Sequence, residues 1–433
     1  MNAVDIIFKT KRREVLDNDE IDWFINGYVK GEIPDYQVSA WLMAVCMNSL
    51  TDEETLALTR TMRDSGDTLD LSGINGITVD KHSTGGIGDK TSLIIAPICA
   101  CCGLHVPKMS GRGLGFTGGT IDKLESIPGF KVDISFEEYE KIINKYGTAI
   151  IAQSGGLVPA DKKLYALRDV TATVDSIPLI CSSIMSKKLA TGADCILLDV
   201  KTGSGAFMKS KADAKALAAL MVKVGKLAGK KCRALITDMD QPLGDAVGNA
   251  LEVIEACDIL AGKKQGRLYE LCISLAANMM ELGGIGNISQ CRELAVRKIE
   301  NGEALERFGD MIEAQGGNRN VIHDYSLLGS PSYSMAVKAE KDGFISSINS
   351  EEIGMAALMT GAGRKAKGES IDSTAGIILS HHSGDKIQKG DTLMTLYSSK
   401  VSELESACER AAQAVSISNE KTNVRDIVIE TIE

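Results

Sequence analysis

The chain is short of basic charge, of long apolar runs and of histidine, and each shortage removes a class of function. Its 48 Lys and Arg face 58 Asp and Glu, a formal net charge of −10, so no nucleic-acid-binding face is expected. No uncharged apolar stretch reaches the roughly 18 residues that a membrane helix needs, so no membrane partner is expected. Met1–Arg13 is amphipathic and charged and lacks the continuous apolar segment of a secretory signal. Eleven cysteines, an odd number scattered through apolar context, read as free thiols, and a cytoplasmic location is expected. Cys99, Cys101 and Cys102 lie in an apolar helix with no histidine at ligand spacing, so core packing is expected of them rather than metal binding. Of only five histidines, His82 alone stands beside a glycine loop.

What is present is a globular composition, 44% hydrophobic and 24% charged over 433 residues, long enough for two or three domains. Residues 1–66 read as helices: Asn18–Val29, Asp35–Met47 after Pro34, and a helix through Met62 opened by the T-x-x-E capping box Thr51 to Glu54. Trp23, Phe24, Trp41, Leu42 and Val45 exceed what one three-helix face buries alone, which points to a homodimer through this unit. From Ile74 strands alternate with helices, with Ile77–Asp80, Thr148–Ala152, Cys195–Val200 and Arg233–Thr237 as strands. That alternation predicts an α/β domain over 70–330, with ligand loops at the C-terminal ends of a mostly parallel sheet. From Met335 short strands and turns predict a smaller α+β unit over 335–433 that resembles a barrel-sandwich module. The expected fold class is therefore α/β: an all-α N-terminal domain over 1–66, joined in space by about 158–190, a mostly parallel mixed α/β domain and a smaller α+β C-terminal domain.

The chemistry is expected in Asp80–Ser92, D-K-H-S-T-G-G-I-G-D-K-T-S. A strand-like Ile77–Val79 precedes it and a long apolar helix follows from Thr91 to near Gly103. Strand, glycine loop and helix N-terminus together hold an anion, because glycine lets the backbone approach and the free N–H groups point at the ligand. The loop is not a Walker motif, since Asp89 rather than glycine precedes Lys90, and Gly86-Ile87-Gly88 is not followed by the third glycine of a dinucleotide fingerprint. A tight turn without a ligand would explain the glycines, but not Lys81, His82, Ser83 and Ser92 gathered in one bend.

A second run, Lys108–Glu125, carries five glycines between Gly111 and Gly119, so it is neither helix nor strand. Ser110 and Thr120 again place hydroxyls beside free backbone N–H groups. The run S-G-R-G-L-G-F-T-G-G-T-I-D-K-L-E resembles the signature of the thymidine and pyrimidine-nucleoside phosphorylase family, and D-K-H-S-T-G-G-I-G-D is similar to that family's first phosphate loop. V-P-A-D-K-K-L-Y-A-L-R-D-V-T-A-T-V from Val158, S-I-P-L-I-C-S-S-I-M-S-K-K from Ser176, D-V-K-T-G-S-G-A-F and Q-P-L-G-D-A-V-G-N-A-L-E-V extend the likeness over essentially the whole chain. Phe116 departs from it, standing where many members carry histidine.

The resemblance implies reversible phosphorolysis of uridine, thymidine or deoxyuridine to free base and α-D-(deoxy)ribose 1-phosphate, with no organic cofactor. It implies phosphate contacts from Lys81, Ser83, Ser92, Lys108, Ser110 and Thr120, and catalytic roles for His82, Arg168 and Lys187. It implies a nucleoside pocket of Leu114, Tyr165, Arg168, Val174, Ile180, Ser183, Lys187 and Phe207. Read alone, Tyr165 and Arg168 share one helix face, as do Ser183 and Lys187. Lys108 beside the sugar points to ribosides as well as deoxyribosides. A K⁺ site at Gly88, Leu243, Ala246 and Glu255 is implied too, but Lys90 replaces the threonine that usually serves it, so either K⁺ binds through backbone oxygens or the ammonium substitutes for it. The alternatives are a thymidine-restricted phosphorylase, a phosphoribosyltransferase of the same fold, and a non-catalytic nucleoside binder. The second would need Mg²⁺ held by paired acids, whereas Asp199-Val200-Lys201 stands in the strand loop expected to carry them.

Overall fold

The computed structural model of the chain describes every residue except Leu114, Thr117 and Lys367. Helices α1 (Ala3–Lys11), α2 (Asn18–Lys30), α3 (Asp35–Asn48) and α4 (Asp52–Asp64) form the N-terminal unit. Reciprocal capping boxes open α2, between Asp17 and Glu20, and α4, between Thr51 and Glu54, each satisfying backbone N–H groups that a helix start leaves free.

The central segment runs β1 (Val79–Ser83), α5 (Thr91–Cys101), β2 (Val106–Ser110), α6 (Thr120–Glu125), α7 (Phe136–Tyr146), β3 (Thr148–Ala152), α8 (Pro159–Asp169), α9 (Ile177–Ala190), β4 (Cys195–Thr202), α10 (Lys211–Leu227) and β5 (Lys231–Asp238). It continues through β6 (Ala246–Val247), α11 (Asn249–Leu260), α12 (Arg267–Leu282), α13 (Ile288–Glu300) and α14 (Glu303–Ala314). Strands β1, β4 and β5 pair in parallel, β2 pairs in parallel with β3, and a bridge between Thr78 and His105 joins the two groups into one layer. Every residue of β4 is buried, as a parallel strand covered on both faces requires. The apolar run after Thr91 becomes α5, buried from Thr91 to Ala100.

Helices α8 and α9 leave the sheet layer to pack on α2 and α4. They explain why the expected excess of apolar residues in 1–66 does not arise: Phe24, Trp41, Leu42 and Val45 are all buried within a single chain, sharing a cluster with Leu164, Leu179 and Ile142. Apolar surface is instead left open at Val4 and Phe8 of α1 and at Tyr36, Met43 and Met47 of α3.

The C-terminal part holds β7 (Tyr333–Lys338), β8 (Gly343–Ile348), α15 (Ser350–Ala357), β9 (Gly376–Leu379), β10 (Lys386–Ile387), β11 (Thr392–Ser398), α16 (Leu404–Gln413), β12 (Val415–Ser418) and β13 (Val428–Ile432). Two strands are exchanged across the expected 335–433 boundary. β6 of the central segment pairs with β9, and β13 returns to pair antiparallel with β5.

Candidate functional site

Strand β1 divides its side chains between two faces, since successive residues of a strand alternate. Asp80 and His82 share the face toward a cavity at the C-terminal end of the parallel strands, and Lys81 projects the other way. The cavity is walled by His82 together with Ser83, Gly85 and Gly86 of the first glycine loop, by Ser110, Gly111, Gly113, Gly118, Gly119 and Thr120 of the second, and by Ser92, Lys108, Lys187 and Lys188. The second loop folds this tightly on itself because a side chain is absent: a Cβ on Gly119 would collide with the backbone N of Gly113.

Asp80 organises the cations. It is fully buried and accepts from Lys108 Nζ at 3.1 Å and from Lys188 Nζ. Burial works to raise its pKa, and the two ammonium groups outweigh that and hold it below the usual range. Lys108 also donates to the carbonyl of Lys81 at 2.5 Å. Burial, helped by Lys188 and Lys81 and opposed by Asp80, lowers the Lys108 pKa to about 8. His82 sits among these charges. Burial and the fields of Lys188, Lys108, Lys187 and Lys81 push its pKa well below 6.5, so its ring is neutral at pH 7.

A second, more apolar cavity adjoins the first and shares His82, Ser83, Gly85, Tyr165 and Lys187 with it. Arg168, Val174, Ile180, Ser183, Ile184 and Phe207 line the rest. Lys187 donates to Asp161 at 2.7 Å and to Ser183 Oγ at 3.3 Å. Arg168 spends Nε on the Thr173 carbonyl (3.1 Å), Nη1 on Leu179 (3.1 Å) and Nη2 on Val174 (2.7 Å). It therefore fixes the loop between α8 and α9 and keeps further N–H groups for the cavity. Leu114, the remaining expected nucleoside contact, lies outside the described residues.

A third cluster lies behind the first loop. Lys90 is completely buried and its Nζ donates to the carbonyls of Leu243 (2.9 Å) and Ala246 (2.8 Å) and to Glu255 Oε2 (2.6 Å). The other Glu255 oxygen accepts from Lys264 at 2.6 Å. Despite burial, which works to raise it, these two ammonium groups hold the Glu255 pKa below the usual range. Gly88 packs against the same carbonyls, a Cβ there falling 2.6 Å from the Leu243 oxygen. The donor set expected for K⁺ is thus filled by an ammonium, and the residues present do not fit the ion while Lys90 stays in place.

Known proteins are similar to this chain. The family described as "Glycosyl transferase family, a/b domain" matches residues 75–305, its helical bundle domain matches 4–66, and "Pyrimidine nucleoside phosphorylase C-terminal domain" matches 344–418. A pyrimidine-nucleoside phosphorylase of Staphylococcus haemolyticus is 51% identical over 421 residues, 96% of this chain and 97% of that protein. Those of Geobacillus stearothermophilus and Bacillus subtilis are each 51% identical over 401 residues, 92% of this chain and 93% of theirs. The chain belongs to the pyrimidine-nucleoside phosphorylase family. Among solved structures, anthranilate phosphoribosyltransferase from Thermus thermophilus superposes with a TM-score of 0.58 at 19% identity, over 72% of this chain and 99% of that one. That likeness shows a shared fold.

Within this phosphorylase fold one expected phosphate ligand is placed elsewhere. The Lys81 ammonium is buried on the far face of β1, bonded to Thr91 Oγ1 at 2.7 Å and paired with Asp199 at 3.0 Å. Lys201 joins the same carboxylate at 2.8 Å. Asp89, pressed upward by burial, is held well below the usual carboxylate range by Lys81 and Lys201 and accepts from Ser83 Oγ at 2.5 Å. This network braces the loop from behind. Lys188, Asp80 and Asp161 were not anticipated in the phosphorylase site. Lys188 adjoins Lys187 in sequence, but the helix turns its side chain to the first cavity alone.

Proposed function

We propose that this chain is a pyrimidine-nucleoside phosphorylase in which inorganic phosphate occupies the lysine- and hydroxyl-lined cavity and the nucleoside base the apolar one. One observation carries the reading. The two cavities adjoin at His82, which lines both, so an anion in one lies beside a heterocycle in the other. A phosphate oxygen forms a bond to C1′ as the bond from C1′ to the base nitrogen breaks, and the electron pair leaves with the base. The phosphate dianion stabilises the positive charge that builds on the sugar, and holding both reactants together removes much of the barrier. Arg168, Ser183 and Lys187 meet the negative charge on the base carbonyls. His82 donates a ring N–H to the base and passes on a proton once bound phosphate offsets the four surrounding lysines, a role worth about 10²–10⁴-fold.

Three further parts complete the reading. The chain needs no K⁺, because the Lys90 ammonium does the ion's work between Leu243, Ala246 and Glu255. The open apolar stripe on α1 and α3 joins two copies into a homodimer. The protein works in the cytoplasm; among the described residues no helix is long and apolar enough to cross a membrane. Incubating the protein with uridine, with and without phosphate, tests the activity. Uracil release that requires phosphate is expected, and phosphate-independent release or none would overturn it.

A further inference from the structure

Both glycine loops send one apolar side chain away from the phosphate cavity, into the core of the C-terminal part. Ile87 of the first loop is fully buried in a cluster with Ile345, Ile353, Ala356 and Ile377, and Phe116 of the second packs against the same cluster. The two meet at one point on α15. A Cβ on Gly354 would lie 2.5 Å from Ile87 Cδ1 and 2.9 Å from the Phe116 carbonyl oxygen.

A polar chain of contacts fixes the second loop from the same side. Arg364 Nη1 bonds Asp122 Oδ1 at 2.6 Å, and Asp122 Oδ2 accepts from the Gly113 N–H at 2.6 Å. The Gly115 N–H donates to the Arg364 carbonyl at 3.0 Å. A glycine-rich loop loses about 1–2 kcal/mol of backbone entropy for each residue it orders, so its shape must be imposed from outside. Here the C-terminal part imposes it.

We propose that Arg364 and Gly354 are positioning residues for phosphate: the C-terminal part is a clamp that sets both phosphate loops, while Arg168, Ser183 and Lys187, which face the base, are carried by α8 and α9 on the N-terminal helices. The proposal rests on the reading of the first cavity as the phosphate site. Phe116 then has a clear task, anchoring the loop rather than touching substrate.

The test compares full-length Arg364→Ala, Arg364→Lys and Gly354→Ala with Ser110→Ala and Thr120→Ala, whose hydroxyls face the cavity itself. For Arg364→Ala and Gly354→Ala the KM for phosphate should rise about tenfold, which corresponds to about 1.4 kcal/mol, while the KM for uridine stays near wild type; the Tm falls as well, since Arg364→Ala leaves the buried Asp122 without its partner and a Cβ on Gly354 crowds Ile87. Arg364→Lys should restore part of the loss, since its charge can still reach Asp122. Gly354→Ala acts through different contacts and carries the test if Arg364→Ala does not fold. The clamp is overturned if Ser110→Ala raises the phosphate KM and both clamp variants leave it unchanged. It is also overturned if the clamp variants raise the KM for phosphate and the KM for uridine in parallel, which marks a merely structural role. If Ser110→Ala and Thr120→Ala leave the phosphate KM unchanged, the phosphate-site reading fails and the clamp falls with it.

Discussion

Replacing Lys90 with threonine isolates the built-in cation. The substitution removes an ammonium held by three oxygens at 2.6–2.9 Å while Glu255 stays almost fully buried, its side chain 3% exposed. Breaking one side of a buried ion pair costs about 3–5 kcal/mol because the partner is left uncompensated. Glu255 is not wholly abandoned: Lys264 reaches its other oxygen, and the N–H groups of Asp245 and Ala246 donate to it at 2.7 and 2.9 Å. The expected loss is therefore at the low end, about 3 kcal/mol. The variant keeps two carbonyls and a carboxylate and gains a hydroxyl, all ligands suited to a hard cation. A cation that binds only the folded protein returns about 2.7 kcal/mol when present at 100 times its dissociation constant. The assay is thermal unfolding and phosphorolysis in KCl and in tetramethylammonium chloride at equal ionic strength. Wild type should not distinguish the two salts, and Lys90→Thr should be destabilised in tetramethylammonium and recover in KCl. A K⁺-specific gain in wild type, or a variant indifferent to K⁺, would refute the reasoning.

Two other residues and one surface give further expectations. His82→Ala should lower kcat by about 10²–10⁴-fold while leaving phosphate affinity nearly unchanged, since the imidazole serves the base; equal loss of both would remove it from that role. Lys108 is charged below a pKa of about 8 and neutral above it, so phosphate affinity should fall as pH rises through that value. Lys108→Met should abolish this limb of the pH profile and raise the phosphate KM, by the ~1.5–3 kcal/mol typical of a bond to a charged group. A retained limb would assign it to another residue. Light scattering should report a dimer that Phe8→Glu with Met47→Glu converts to monomer; a monomeric wild type would end the stripe's role.

Local signals served the reading of the sequence well and tertiary ones did not. The capping box at Thr51, the glycine loops and the spacing of Tyr165 with Arg168 and of Ser183 with Lys187 are properties of neighbouring residues, and the structure keeps them. Strand β2 escaped notice because its five residues are wedged between an apolar helix and a glycine run, too few to show a period. Lys81 was assigned to phosphate because it stands in one bend with His82, Ser83 and Ser92 and because the resemblance implies it. In a strand, adjacency means opposite faces, and the β1–β4 pairing commits Lys81 to Asp199. Asp80, Asp161 and Lys188 were missed because a buried charge looks like a surface charge until its partner is known. The joining of residues 158–190 to the N-terminal helices was legible, since α8 and α9 pack there; that they bury Trp41 and Phe24 within one copy was not.

The central claim is that phosphate, not water, takes the pentose from the base in the cavity at His82. Phosphorus NMR of uridine and inorganic phosphate turned over by the pure protein tests it directly. The account predicts a phosphomonoester signal of ribose 1-phosphate, in the α configuration, growing in step with free uracil and greatly slowed in His82→Ala. Uracil released with ribose that carries no phosphate would contradict it.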